Sequence, residues 1–283
     1  GMDAAGAAGA FALALAVAAL WGGRPEGWQV ANLAAFVANV YAVQNTARLD
    51  TAAPRESQPL NYLTPAPYAF AVWAVIYASE VLMICWQLRQ TRTSAPAARL
   101  AFLRDAAPAW WAANACQVLW CLTFTERFDS PALLWVAAVA LSGIAACLGA
   151  AQGRAAAQAD PQVLYFVYIP LTLHFGWTSA AALVIWNGYV ARCTGSAAPK
   201  LTAALASLAL AAALAAAVSA ARRSALYGAT VAWALIAVGV NTYRTEGFAQ
   251  ELGVSAAAAL GNCEVAVGVL ALALGLRGRW RPG

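Results

Sequence analysis

Nine long apolar segments follow one another along this 283-residue chain, separated by short polar connections. A helix of about 20 apolar residues is long enough to cross the roughly 30 Å hydrocarbon core of a bilayer. Alanine is abundant throughout, which favours helix over strand. The pattern predicts an all-α fold, a polytopic transmembrane bundle of about 8–9 helices. The segments are 4–21, 28–46, 67–88, 107–125, 131–151, 162–191, 198–221, 225–243 and 252–276.

Composition excludes several other classes of protein. Apolar residues make up 63% of the chain and charged residues 10%, against about 45–50% and about 25% in soluble domains. An ordinary soluble enzyme and a disordered protein are therefore excluded. The net charge is +5, but the cations stand singly or in pairs between apolar segments. Nucleic acid is not an expected partner, whereas membrane lipid is.

The distribution of Lys and Arg predicts the orientation of the chain. With nine spans, eleven of the 17 cations fall on the side of the C-terminus and the 89–106 connection, and six fall on the other side. Cytoplasmic loops carry the excess of Lys and Arg in membrane proteins. The C-terminus is therefore predicted on the cytoplasmic face, or on the stromal or matrix face in an organelle.

Motifs for hydrolysis, phosphate binding and metal binding are missing from the sequence. The single histidine excludes a His-cluster metal site, and the six cysteines form no C-x-x-C pair. No G-x-G-x-x-G, P-loop or G-x-S-x-G run is present. The sequence predicts neither a catalytic site nor a metal site, so we do not expect an enzyme.

Three ionisable residues, Glu80, His174 and Glu264, fall inside apolar segments. Such a residue costs at least about 2.5–3.5 kcal/mol at bilayer depth, so it usually serves a function. Glu80 lies on one stripe of aromatic and polar residues, and His174 lies on another. Spacings of three and four residues place the members of each stripe on one face of their helix. Pro170 precedes His174 by four residues and predicts a kink or interruption of that helix.

A third stripe, with Asn114 and Gln117, lies beside Trp120. Flat aromatic walls with a few polar groups suit a large, flat, mostly apolar ligand. Interface tryptophans and interhelical hydrogen bonds also account for any one of these residues taken alone. The candidate ligand-binding residues are Phe70, Trp73, Tyr77, Glu80, Asn114, Gln117, Trp120, His174 and Trp177.

The run TPAPYAFAVWAVIY at residues 64–77 resembles the TPAGYAFSIWGLIY signature of tryptophan-rich sensory proteins. These are the larger, multi-helix relatives of the TspO/MBR family, which includes the translocator protein (peripheral benzodiazepine receptor). The IPLTLHFGWTSAA run at 169–181 is similar to the LPFSLYLGWISVA segment of the family. The CQVLWCLTF run at 116–124 is similar to its LNLAWSPLFF helix.

The resemblance implies a division of the chain and a ligand class. It implies a TspO-like five-helix core at 28–192, preceded by an apolar helix or targeting remnant at 1–27 and followed by a three-helix extension at 193–283. The family binds porphyrins or other tetrapyrroles, sterols and drug-like aromatics in a pocket below the loop after its first helix, here 46–66. Trp73, Tyr77, Trp120 and Trp177 would be wall residues, and a homodimer is the expected assembly.

The polar positions depart from the family pattern. Gln117 stands where the family usually has Asn, and His174 takes an aromatic or apolar position. Asn187 follows Trp177 by ten residues rather than eight. The polar lining of the pocket therefore differs from that of its relatives.

Several functions agree with these observations. The first is binding or sensing of a tetrapyrrole, such as a porphyrin, or of a sterol-like ligand. The alternative is a structural or pigment-binding subunit of a larger photosynthetic membrane complex. The magnesium of chlorophyll would then be held by one of five residues, His174, Glu80, Glu264, Gln117 or Asn114. Transport is less favoured, because the sequence has no internal repeat. Light-driven porphyrin breakdown, suggested for some family members, is the least favoured.

Overall fold

The computed structural model describes residues 25–46, 59–125, 130–222 and 224–277. Within these ranges the chain is helical and has no β-strand. The predicted first segment, 4–21, lies outside the described residues. The helices are α1 (Gly27–Asn45), α2 (Val72–Leu88, after a 3₁₀ turn at Pro67–Ala71), α3 (Ala97–Thr123), α4 (Pro131–Ala156), α5 (Pro161–Cys193), α6 (Ala197–Arg222), α7 (Ala225–Arg244), α8 (Glu246–Leu252) and α9 (Val254–Arg277).

Six helical stretches in the described ranges are long and apolar enough to cross a membrane. They are Pro67–Leu88, which comprises the 3₁₀ turn and α2, and the helices α4, α5, α6, α7 and α9. The chain is therefore an integral membrane protein, as its composition predicts. Helices α1 and α3 are less apolar than these six stretches, because their buried faces carry amide side chains. These are Gln29, Asn32, Asn39, Asn114 and Gln117.

The helices run up and down, so the chain connections lie at two ends of the bundle. One end holds segment 59–66, the turn between α5 and α6, and the short helix α8. We call it the α8 end. The other end holds the 89–96 connection and the turn between α4 and α5. We call it the α2–α3 end. The helix order therefore puts the downstream part of the 46–66 connection beside the C-terminal helices.

Helix α5 occupies the centre of the bundle and packs against α2, α4, α6 and α7. Its backbone is π-helical over Leu164–Tyr168, a stretch that ends two residues before Pro170. Proline has no N–H, and its ring collides with the carbonyl four residues earlier in a regular α-helix. A wider π turn relieves that collision. The predicted interruption at Pro170 is therefore confirmed, and it lies one turn before His174.

An ion pair ties three helices together at the α2–α3 end. The Arg99 guanidinium of α3 donates to both carboxylate oxygens of Asp160, over 2.6 and 3.1 Å. It also donates to Gln90 after α2 and to Gln162 in the first turn of α5. The same guanidinium holds the pKa of Asp160 below its ordinary value. Asp160 also caps α5 by accepting from the Gln162 N–H.

The last two long helices, α7 and α9, pack with their backbones close together. A Cβ atom added at Gly228 of α7 would overlap the carbonyl oxygen of Ala271 in α9. A Cβ added at Gly268 of α9 would come within 3.3 Å of the Ala232 carbonyl oxygen in α7. Small residues allow this approach between transmembrane helices.

Candidate ligand-binding site

A carboxyl–imidazole pair lies buried between α2 and α5. The Nδ1 atom of His174 is 2.6 Å from Oε1 of Glu80. Glu80 is 0% exposed and His174 is 3% exposed. Water therefore does not solvate either group, and each depends on the other for a polar partner. The structure brings together the two ionisable residues that the sequence placed on separate stripes.

Aromatic rings surround this pair, with Trp73 at their centre. Trp73 stacks on Tyr77, one turn later in α2, with ring centroids 5.3 Å apart and an interplanar angle of 18°. Its ring also meets His174 at 5.4 Å and Trp177 at 6.1 Å, both nearly perpendicular. Phe70 meets Trp177 edge to face at 5.7 Å. We call these five residues, Phe70, Trp73, Tyr77, His174 and Trp177, the aromatic cluster.

Three buried polar atoms at this place have no hydrogen-bond partner among the described residues. They are Oε2 of Glu80, Nε2 of His174 and Nε1 of Trp177. A buried polar atom without a partner costs about 1–3 kcal/mol, and native proteins contain few of them. Three such atoms therefore lie around one group of aromatic rings.

An amide ladder extends the site toward α1 and α3. The Tyr77 hydroxyl donates to Oδ1 of Asn39 over 3.4 Å, and Nδ2 of Asn39 donates to Oδ1 of Asn114 over 2.9 Å. Asn114 in turn donates to the carbonyl oxygen of Trp110. Asn114 is therefore connected to the aromatic cluster through Asn39. Asn39 was not among the predicted site residues, although an asparagine inside the apolar segment 28–46 was a usable signal.

The other two candidates on α3 occupy a different environment. Gln117 is 0% exposed, and both polar atoms of its amide are without a partner in the described part of the chain. Trp120 stacks on Phe124 at the end of α3, with ring centroids 5.6 Å apart. The ring contacts and the Glu80–His174 hydrogen bond join six of the candidate ligand-binding residues directly. Asn114 is joined to them through its hydrogen bond with Asn39. Gln117 and Trp120 are not among the residues that these contacts join.

The third ionisable residue, Glu264, lies in the contact between α7 and α9. It is 0% exposed, and Thr242 of α7 donates to its Oε2 over 2.7 Å. Its other carboxylate oxygen has no partner among the described residues. Glu264 is therefore a second buried carboxyl site, separate from the pair in α2 and α5.

The 46–66 connection was predicted to cover the pocket. Residues 47–58 lie outside the described part of the chain, but 59–66 pack onto the bundle. Asn61 donates to the Val184 carbonyl of α5, and the Ala66 N–H donates to the Ala237 carbonyl of α7. Tyr62 is 1% exposed and packs against Phe248 of α8. The C-terminal helices therefore hold the end of this connection in place.

Metal ligands are sparse in the described ranges. These contain no group of three or more His, Cys, Asp and Glu side chains that would hold a metal ion by themselves. A metal carried inside a tetrapyrrole needs only one axial ligand from the protein. His174 Nε2 fits that requirement, because Nδ1 is held by Glu80 and Nε2 is unpaired.

The sequence was compared with protein families, curated proteins and solved structures. The family model described as TSPO-like protein matches residues 29–272. The match includes helices α6, α7 and α8 and most of α9, beyond the 28–192 core that the local motifs predicted. No curated protein and no solved structure matches the chain. Because the family model covers most of the sequence, the chain belongs to the TSPO-like protein family, and it is a membrane-embedded member.

Proposed function

We propose that this protein binds a flat, mostly apolar molecule, a tetrapyrrole or a sterol-like ligand, at the aromatic cluster between α2 and α5. The observation that carries the proposal is the group of three unpaired polar atoms there: Glu80 Oε2, His174 Nε2 and Trp177 Nε1. The rings around them supply apolar contact, and the three atoms supply orientation. The proposed role is binding without catalysis.

The polar atoms favour a tetrapyrrole over a sterol. Trp177 Nε1 only donates, and an ionised Glu80 only accepts. When Nδ1–H of His174 donates to Glu80, Nε2 of His174 is an acceptor. A ligand that satisfies all three atoms must therefore supply two donors and one acceptor, and one hydroxyl has a single donor. A free-base tetrapyrrole has pyrrole N–H donors and carboxylate acceptors, whereas a sterol has a single hydroxyl.

Binding of a metal-bearing pigment is the second candidate function. It is favoured by one observation, the pairing of His174 Nδ1 with Glu80 over 2.6 Å. A carboxylate on one imidazole nitrogen fixes the ring and strengthens the other nitrogen as a ligand. His174 is therefore the residue that would hold the central magnesium of a chlorophyll-type pigment. This candidate agrees with a role as a pigment-binding subunit of a larger complex.

A titration with protoporphyrin IX tests the proposal. Trp73→Leu removes the ring that contacts Tyr77, His174 and Trp177. We expect its Kd to rise about two- to tenfold, since one ring stacked on the porphyrin contributes about 0.5–1.5 kcal/mol. Trp135→Leu is the matched control, because Trp135 on α4 is 47% exposed. The Soret absorbance of the porphyrin, with the full-length protein in lipid nanodiscs, is the readout.

The outcomes separate the candidates. Equal Kd values for the wild type and both variants would contradict the aromatic cluster as the site. Zinc protoporphyrin, added in a parallel titration, reports on the second candidate. A red-shifted Soret band that disappears in His174→Gln would favour axial ligation, and an unchanged band would count against it.

A further inference from the structure

The carboxyl group of Glu264 lies in the contact between the last two long helices. Both α7 and α9 are long and apolar enough to cross the membrane, and Glu264 is near the middle of α9. The two backbones are close here. A Cβ added at Gly239 of α7 would come within 3.0 Å of the carbonyl oxygen of Gly261, one turn before Glu264. The carboxyl therefore lies at membrane depth in a closely packed helix contact.

The hydrogen bonds of this carboxyl suit a neutral acid. Thr242 donates to Oε2, and Oε1 has no hydrogen-bond partner among the described residues. An ionised carboxylate has about four acceptor sites on its two oxygens, so a single hydroxyl leaves most of them empty. In the neutral acid the proton occupies Oε1, while Oε2 still accepts from Thr242. An unpaired O–H in an apolar environment costs far less free energy than an unpaired charge.

No salt bridge joins Glu264 to a cation within the described ranges. Helix α9 packs against α6, α7 and α8. The other titratable or charged side chains of these four helices either have another contact or are exposed. They are Lys200 and Arg222 of α6, Tyr227, Tyr243 and Arg244 of α7, Glu246 and Glu251 of α8, and Cys263 and Arg277 of α9. A buried carboxyl without a counter-ion takes up a proton, because burying the bare charge costs more.

We propose that Glu264 is a proton-binding site, which takes one proton reversibly from the solvent and holds it as a carboxylic acid between α7 and α9. Carboxyls inside membrane-spanning helices often belong to proton relays. Thr242 orients the carboxyl and lies in the last turn of α7, so the route to solvent at the α8 end is short. Ca²⁺ or Mg²⁺ would need about six oxygen ligands, and the described ranges hold no cluster of three metal-ligating side chains. The site is separate from the aromatic cluster and does not depend on ligand binding there.

Infrared difference spectroscopy of the full-length protein in lipid nanodiscs at neutral pH tests the assignment. We expect the wild type minus Glu264→Gln spectrum to contain the C=O stretch of one carboxylic acid, which moves to lower frequency after transfer to D₂O. Glu246→Gln is the matched control. Glu246 of α8 is exposed, so its difference spectrum should contain carboxylate stretches instead. Carboxylate stretches in the Glu264→Gln difference spectrum, or a C=O stretch that D₂O leaves in place, would overturn the proposal.

A second variant tests the site with Glu264 in place, so it decides the matter even when Glu264→Gln does not fold. Thr242→Val removes the hydrogen bond to Oε2, and the C=O stretch should therefore rise in frequency. Thr230→Val is the matched control, because Thr230 is also buried in α7 but donates to the Leu226 carbonyl. A carboxylic-acid stretch that does not move in Thr242→Val, or that moves equally in both variants, would overturn the assignment to Glu264.

Discussion

Replacing His174 with leucine should lower the free energy of unfolding by about 2–3 kcal/mol, because it leaves a buried carboxyl without its hydrogen-bond partner. The Glu80 carboxyl would remain fully buried, with no partner for Oε1 and none for Oε2. The measurement is equilibrium unfolding by sodium dodecyl sulfate in mixed micelles, followed by far-ultraviolet circular dichroism.

The double variant Glu80→Met/His174→Leu is the control for this prediction. It removes both polar groups, and replacing a buried pair with apolar side chains is often neutral for stability. We therefore expect the double variant to recover most of the loss, so that a double-mutant cycle yields a coupling energy of about 2 kcal/mol or more. Additive losses would show that the pair does not act as a unit.

Replacing Gly228 with leucine should lower the free energy of unfolding by about 3 kcal/mol, at the upper end of the usual cost of overpacking. The new Cβ would overlap the Ala271 carbonyl oxygen and lie 3.2 Å from the Gly275 Cα. Both are backbone atoms, so no change of side-chain rotamer relieves the collision. Helices α7 and α9 would have to separate. The same detergent-unfolding experiment measures the loss.

Gly195→Leu is the matched substitution for this test. Gly195 lies in the turn between α5 and α6, and a Cβ added there meets nothing within 4 Å. A surface substitution of this kind usually changes stability by less than about 0.5 kcal/mol. Similar losses at Gly228 and Gly195 would contradict the close backbone packing of α7 and α9.

Most helices could be predicted closely because local signals define them. Helix α3 is the exception, since it begins at Ala97, ten residues before the predicted segment 107–125. The segments 67–88 and 131–151 begin at Pro67 and Pro131, where the structure also begins its helical stretches. Proline at a first helical turn loses no backbone hydrogen bond, so the boundary is encoded at that position. Pro170 likewise produces the predicted irregularity in α5.

The contacts between helices were harder to predict. The spacing of Trp73, Tyr77 and Glu80 places them on one face of α2, but it does not say which helix they face. The pairing of Glu80 with His174 joins residues 94 positions apart. The ionic environment of Lys200 depends on α8, a seven-residue helix that supplies Glu251. Such contacts depend on the packing of whole helices, which no short motif encodes.

Several of the sequence-based interpretations stay predictions. They include the cytoplasmic side of the C-terminus, the homodimer and the division of the chain at 192. The contacts of segment 59–66 with α5, α7 and α8 nevertheless show how the C-terminal helices support the core. Through Asn61 and Ala66, this segment connects the start of α2 to helices on both sides of the proposed division.

The most direct test of ligand binding at the aromatic cluster is fluorine NMR of protein labelled with 5-fluorotryptophan. The chain has 12 tryptophans, and single Trp→Phe variants assign the signals of Trp73, Trp177 and Trp135. On titration with protoporphyrin IX, the signals of Trp73 and Trp177 should shift through the ring current of the bound porphyrin, while that of Trp135 stays in place. Unshifted Trp73 and Trp177 signals at saturating porphyrin would contradict the proposed site.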